Sequence, residues 1–313
     1  MPIDPPLQGL LDQIAASDAP AMPEAGPAMA REMYRGLHML TDPTDVPIGK
    51  VENVSFTGPG GDVPLRIYTP VAASGTMNCL VFFHGGGFVI GDLDSHDALC
   101  RHLANDAGCK VVAVDYRLAP EHKFPAAIED GWAAINWVEE NAGELSVDAN
   151  CIAVAGDSAG GNIAAVVSQM AATTKGGPQI SFQLLIYPGL RAHADTPSMA
   201  EFAEDHFLTK ATIDWFAENY LPEGQDVSDA RLSPLLAEDV SGVAPALIIT
   251  AGYDPLKDQG KAYADRLAAS GVDTTYKDYP EMIHGFFNMT ALSPDAKKAV
   301  KDAAKAVKAA WPS

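Results

Sequence analysis

Residues 151–169 read CIAVAGDSAGGNIAAVVSQ. The first part is a short apolar run with the length of a buried strand, and the last part has the small apolar residues and the length of a helix. Between them, Gly156, Asp157, Ser158, Ala159 and Gly160 spell GxSxG in the strand-to-helix context that a nucleophile elbow requires. A turn this sharp brings backbones too close for side chains, which accounts for the two glycines. It exposes the Ser158 hydroxyl and points the Ala159 amide into the same space. The helix N-terminus adds partial positive charge there. A plain glycine-rich loop is the competing reading, and the rest of the chain separates the two.

On both sides of this stretch strands alternate with helices. LVFFHGG (80–86), KVVAVDYR (110–117), QLLIYPG (183–189), ALIITAG (246–252) and TTYKDYP (274–280) read as strands. SHDALCRHLANDAG (95–108), PAAIEDGWAAINWVEENAG (125–143), KAYADRLAASG (261–271) and PDAKKAVKDAAKAVKAAW (294–311) read as helices. Near-continuous apolar strands between helices imply a mostly parallel central sheet with helices on both faces, an α/β fold. Ahead of it, VENVSFTG and VPLRIYTP flank GPGGD and read as two strands joined by a tight turn.

Two segments break the alternation. Residues 1–50 hold two short helical patterns separated by prolines and read as an N-terminal helical arm. The stretch between Pro188 and Ala246 is too long for an ordinary loop and carries helical patterns of its own, with apolar points at Phe207, Leu208, Trp215 and Phe216. Residues 191–225 are therefore expected to form a cap insertion, leaving 51–190 and 226–313 as the catalytic domain.

A serine hydroxyl needs a base to act near neutral pH. Of the eight histidines, His284 in EMIHGFF follows the last strand. Loops after parallel strands share the carboxyl edge with the elbow, which makes His284 the candidate base. His96, His102 and His206 fall in helical stretches and read as surface or core residues. Asp254, just past the strand ALIITAG, is the candidate acid. Nearby Asp258 is read as a helix N-terminal cap. The order Ser158, Asp254, His284 is that of α/β-hydrolases. FFHGGGF (82–88) places three glycines directly after an early strand. Gly85 and Gly86, with Ala159, are expected to aim amides at a developing oxyanion, and His84 to brace that loop.

HGGGF, DYRLAPEHKFPAA, GDSAGGN, YDPLKDQ and IHGF, in this order, resemble the bacterial hormone-sensitive-lipase-like esterases of the α/β-hydrolase superfamily, over roughly residues 50–313. The resemblance implies a carboxylesterase acting on short- to medium-chain esters, the triad Ser158, Asp254 and His284, and an HGGG oxyanion loop. It also implies a cap built from the N-terminal helices together with the insertion. Asp157 holds the position that separates GDSAG from GTSAG members. It is counted with the candidate substrate-binding residues, with bracing of the elbow as its structural role. Phe88, Phe207, Leu208 and Trp215 are the candidate apolar pocket, or else cap core. An amidase, lactonase or deacetylase would use the same machinery. A non-catalytic receptor, of the kind found among relatives that have lost the histidine, is disfavoured by His284.

The bulk numbers narrow the partners. The chain has 313 residues, 21 basic against 41 acidic, and a net charge of −20. Such a field repels phosphate backbones and anionic lipid, so neither nucleic acid nor a membrane surface is an expected partner. The partner expected is a small-molecule ester, with a possible homodimer through an edge strand. Cys79, Cys100, Cys109 and Cys151 have no CxxC spacing, and Cys79 and Cys151 lie in apolar runs that read as core. The start MPIDPPLQGLLDQIAAS lacks a signal-peptide pattern, so a cytoplasmic location is expected. No metal or cofactor is expected in the chemistry. A histidine base must be neutral to act, so activity is expected to rise through about pH 6–8.

Overall fold

A computed structural model describes residues 1–43 and 45–311. The chain opens with helices α1 (Pro5–Ala15) and α2 (Met22–Thr41), the latter kinked at Gly26. The hairpin β1 (Lys50–Gly58) and β2 (Gly61–Thr69) follows, then β3 (Met77–Phe83), α3 (Asp97–Ala107) and β4 (Lys110–Val114). Next come α4 (Ala126–Glu140), α5 (Ala142–Leu145), β5 (Val147–Asp157), α6 (Ala159–Thr173) and β6 (Ile180–Ile186). The insertion carries α7 (Pro197–Glu201) and α8 (Lys210–Tyr220). The chain closes with β7 (Ala246–Tyr253), α9 (Lys257–Ala269), β8 (Thr274–Ile283) and α10 (Pro294–Ala309).

All eight strands join one sheet in the order β1-β2-β4-β3-β5-β6-β7-β8. The pairs β1–β2 and β2–β4 are antiparallel, and every other neighbouring pair is parallel. Successive side chains of a strand point to opposite faces, and here both faces are buried. Cys79, Val81, Phe83, Ile152, Val154, Leu185 and Ile248 point to one core, which α4, α6 and α9 cover with Ile135, Ile163 and Tyr263. Leu80, Phe82, Ala153, Ala155, Leu184 and Ile249 point to the other, covered by Leu103 of α3 and Val300 of α10. That double burial explains why these strands read as continuous apolar runs rather than alternating ones.

Register lines up the strand ends that matter. Phe83 pairs with Gly156, Asp157 with Ile186, Ile186 with Ile249, and Tyr253 with Ile283. The residues just beyond these pairs, namely His84, Ser158, Tyr187, Asp254 and His284, therefore collect along one carboxyl edge. The N-terminal arm divides in two. Helix α1 buries Leu7 and Leu11 in the second core, and its Asp4 accepts from Ser293 at 2.6 Å while the Asp4 amide donates to Glu281 O at 2.9 Å. Only α2 reaches the HGGG loop, where Arg31 Nε donates to Val89 O at 2.8 Å, and it also packs against α8. No helix among the described residues is long and apolar enough to cross a membrane.

Candidate active site

The turn at Ser158 is as tight as its glycines require. Ser158 itself has φ 54°, a left-handed value that non-glycine residues rarely adopt. A Cβ added to Gly160 would lie 1.9 Å from Phe83 O, and one on Gly156 would lie 2.2 Å from the Gly160 carbonyl. The strained backbone is held by the Ser158 amide, which donates to Ile186 O at 2.9 Å, and by the Gly189 amide, which donates to Ser158 O at 3.2 Å. Neighbouring β6 thus fixes the direction in which the serine points.

Three side chains from three strand ends then meet. Ser158 Oγ lies 2.9 Å from His284 Nε2, and His284 Nδ1 lies 2.7 Å from Asp254 Oδ2. Asp254 is fully buried, and its other oxygen accepts the Leu256 amide at 2.8 Å. With Nδ1–H donating to the carboxylate, Nε2 is left to accept the serine proton. The Tyr187 ring lies 4.7 Å from the imidazole, with buried Phe286 and Phe287 behind it, so water is kept from the back of the histidine. Asp258 does not cap α9. It accepts the Ser198 amide at 2.9 Å and so pins α7 of the insertion beside the site.

The glycine loop differs from expectation at one position. The Gly85 amide is turned inward and donates to Asp157 Oδ1 at 2.8 Å, so it does not face the cavity as a free donor. The amides of Gly86, Gly87 and Ala159 have no acceptor among the described residues. Gly87 is therefore a further candidate donor beyond those the sequence nominates, and the third glycine of the run is its signal. Asp157 is likewise displaced from its expected place. It is buried beneath the loop, is not among the residues that line the cavity, and lies 3.2 Å from His96 Nε2. His96, read as an ordinary helical histidine, is the fully enclosed residue just before α3. His84 does brace the loop: its Nδ1–H donates to Gly85 O at 2.8 Å and its ring stacks on Tyr116. Burial, with the neighbouring His96, pushes its pKa down to about 4, so it is neutral at ordinary pH.

A cavity of ≈ 350 Å³ opens in front of Ser158. Its apolar wall includes Phe88, Leu208, Ile213, Phe216 and Leu232, and exposed Arg191, Asp195 and Lys210 stand among its lining residues. Of the four apolar candidates, Phe88 and Leu208 line this cavity. Phe88 stacks on Tyr220 of α8 with ring centroids 4.0 Å apart, joining loop to insertion. Trp215 and Phe207 do not line the cavity. Successive helix residues point about 100° apart, so Trp215 faces the core while Phe216 faces the cavity and covers Gly87. Phe207 lies over Gly285, on the histidine loop.

A family model described as alpha/beta hydrolase fold matches residues 80–288. Carboxylesterase NlhH of Mycobacterium tuberculosis is 42% identical over 313 aligned residues, covering 98% of this chain and 96% of the relative. Carboxylic ester hydrolase LipN of the same organism is 46% identical, covering 83% of this chain and 70% of the relative. Among solved structures, the hyperthermophilic esterase of the archaeon Pyrobaculum calidifontis superposes with a TM-score of 0.94 at 40% identity, covering 99% of both chains.

Proposed function

The chain belongs to the hormone-sensitive-lipase-like esterase family of α/β-hydrolases and is a carboxylesterase, and we propose that it cleaves short- to medium-chain esters through Ser158, His284 and Asp254. The observation that carries this reading is the Ser158–His284–Asp254 relay, at 2.9 and 2.7 Å, in the wall of an apolar cavity.

In this mechanism Ser158 Oγ attacks the ester carbonyl while His284 Nε2 takes the hydroxyl proton. The Oγ–C bond forms and the carbonyl π pair moves to oxygen. The amides of Gly86, Gly87 and Ala159 receive that oxyanion, the kind of interaction that is stronger in the transition state than in the ground state. Asp254 stabilises the imidazolium. Collapse breaks the bond to the alcohol oxygen, which takes the proton from His284, and an acyl-enzyme remains. Water then repeats both steps and frees the acid.

The cap in this reading is α7 and α8 over the cavity, backed by α2. The size and apolar lining of the cavity favour a compact acyl group. The edge position of β8 in the sheet supports a homodimer, which a single 33.0 kDa species by light scattering would refute. Four unpaired, buried cysteines support a reducing compartment such as the cytoplasm. The deciding experiment is a series of p-nitrophenyl esters from acetate to palmitate beside matching anilides and lactones. We expect kcat/KM to peak at short to medium esters. A higher kcat/KM on anilides or lactones would transfer the assignment to an amidase or lactonase.

A further inference from the structure

Two buried ionisable residues lie beneath the oxyanion loop and take no part in the relay. Asp157 is 2% exposed and His96 1%. Burying a carboxylate is costly unless it is paired, so its partners indicate its purpose. Asp157 Oδ1 accepts the Gly85 amide at 2.8 Å and lies 3.2 Å from His96 Nε2. On the far side of the ring, His96 Nδ1 meets Ser95 Oγ at 3.0 Å, and Ser95 Oγ donates to Asp92 O at 2.9 Å. The His84 ring on the loop and the His38 ring on α2 each lie 5.6 Å from the His96 ring. Burial opposes charge on both members, but their mutual attraction outweighs it. The Asp157 pKa is held below the usual carboxylate value and the His96 pKa above the usual imidazole value, so the charged pair is favoured.

The pair also stands at a junction. Asp157 ends β5 and precedes Ser158, while Gly85 begins the turn that leaves β3. One side chain therefore couples the backbone of the nucleophile to the backbone of the oxyanion loop. The contact is close: a Cβ on Gly85 would lie 2.4 Å from Asp157 Oδ2. Beyond it the chain turns through Gly86 at φ 114° and Gly87 at φ 60°. Each planar peptide is joined to the next through φ and ψ, so the anchored Gly85 amide is the fixed end from which the next two are oriented.

We propose, on the basis of the serine-esterase reading above, that Asp157 and His96 form a positioning pair for the oxyanion loop. Asp157 draws the Gly85 amide inward, which leaves the Gly86 and Gly87 amides facing the substrate carbonyl. His96 holds the carboxylate in that place. Neither residue touches substrate. Their contribution is made in the transition state, through the loop.

The test compares Asp157→Ala, Asp157→Asn and His96→Gln with wild type on p-nitrophenyl butyrate. It reads kcat, KM and the Ki of a trifluoromethyl ketone that adds to Ser158 and carries the oxyanion. Loss of one oxyanion donor lowers kcat by about 10²–10³-fold, and a misaimed loop is expected to approach the lower end. Asp157→Ala should therefore lose roughly 30- to 100-fold in kcat with KM within about twofold, and the ketone Ki should rise in step. Asp157→Asn can still accept from Gly85 and should recover to within about fivefold of wild type, with His96→Gln in between. A loss confined to KM, or an unchanged ketone Ki, overturns the proposal. If Asp157→Ala does not fold, the other two variants carry the comparison. Loss of cooperative unfolding in all three also overturns it, because the pair would then hold the fold rather than aim the loop. A wild type that turns over no ester and takes no label from a fluorophosphonate would instead remove the serine-esterase reading on which the pair depends.

Discussion

On one side of the cavity the backbone leaves no room, and on the other side room is left to the side chains. A methyl added at Gly160 would sit 1.9 Å from Phe83 O, whereas one added at Gly36, in α2, would meet nothing within 4 Å. The elbow and the glycine loop are built from main-chain contacts, so their residue types are dictated position by position. The insertion with α7 and α8 is built from packed side chains, and many apolar sequences could fill it. The same contrast separates parts that carry chemistry from parts that shape the substrate. The elbow must hold Ser158 in a strained conformation, while α8 has only to present a wall.

That contrast can be tested from either side. Ser158→Ala should abolish turnover, with kcat falling by on the order of 10⁶-fold. Full folding of the variant, seen in an unchanged Tm, would show that the loss is chemical. Residual activity within tenfold of wild type would mean that the nucleophile lies elsewhere. Asp254→Asn should cost about 10⁴-fold in kcat, because the amide no longer orients and balances the imidazolium. A loss of less than tenfold would sink the role given to that carboxylate.

The next pair contrasts two neighbours on α8. Trp215→Ala removes a ring from the core, and about 3–5 kcal/mol of stability should go with it. Phe216→Ala should leave Tm within a few degrees, yet raise kcat/KM for longer acyl chains relative to butyrate by about tenfold as the cavity deepens. Denaturant unfolding and the ester series measure the two effects. The opposite result, an altered chain-length profile from Trp215 and an unfolded Phe216 variant, would break the assignment of their faces. The smallest effect is expected at Gly36→Ala, which should stabilise the protein by about 0.5–1 kcal/mol, since a helix-interior glycine is exchanged for a better helix former with no clash. A destabilised variant would show that α2 packs more closely at that point than the open space around Gly36 allows.

The relay is the part of the site that reads most directly from the chain. GDSAGGN, HGGG and the histidine after the last strand each combine a residue type with a place on a strand end, and parallel strands put such ends together. Strand register then does the rest, pairing Phe83 with Gly156 and Tyr253 with Ile283. The fold was legible for a related reason. Strands buried on both faces must be apolar throughout, and that pattern is local.

The unread parts share a different cause. Whether Gly85 or Gly87 offers its amide depends on one peptide orientation, set by a carboxylate 72 residues away in the chain. Whether Trp215 or Phe216 faces the substrate depends on the rotation of α8 about its axis, set by what packs behind it. His96 carries the local pattern of any helical histidine, and only its partner Asp157, 3.2 Å away, sets it apart. Local pattern and strand-end position, both encoded within short stretches, determine the α/β architecture and nominate the three side chains that meet at the candidate relay. The aim of the oxyanion loop, the identity of the cavity wall and the buried pair beneath them depend on long-range packing. They became visible only once distant segments had been brought into contact, because the free energy that selects them lies in those contacts and not in any one segment.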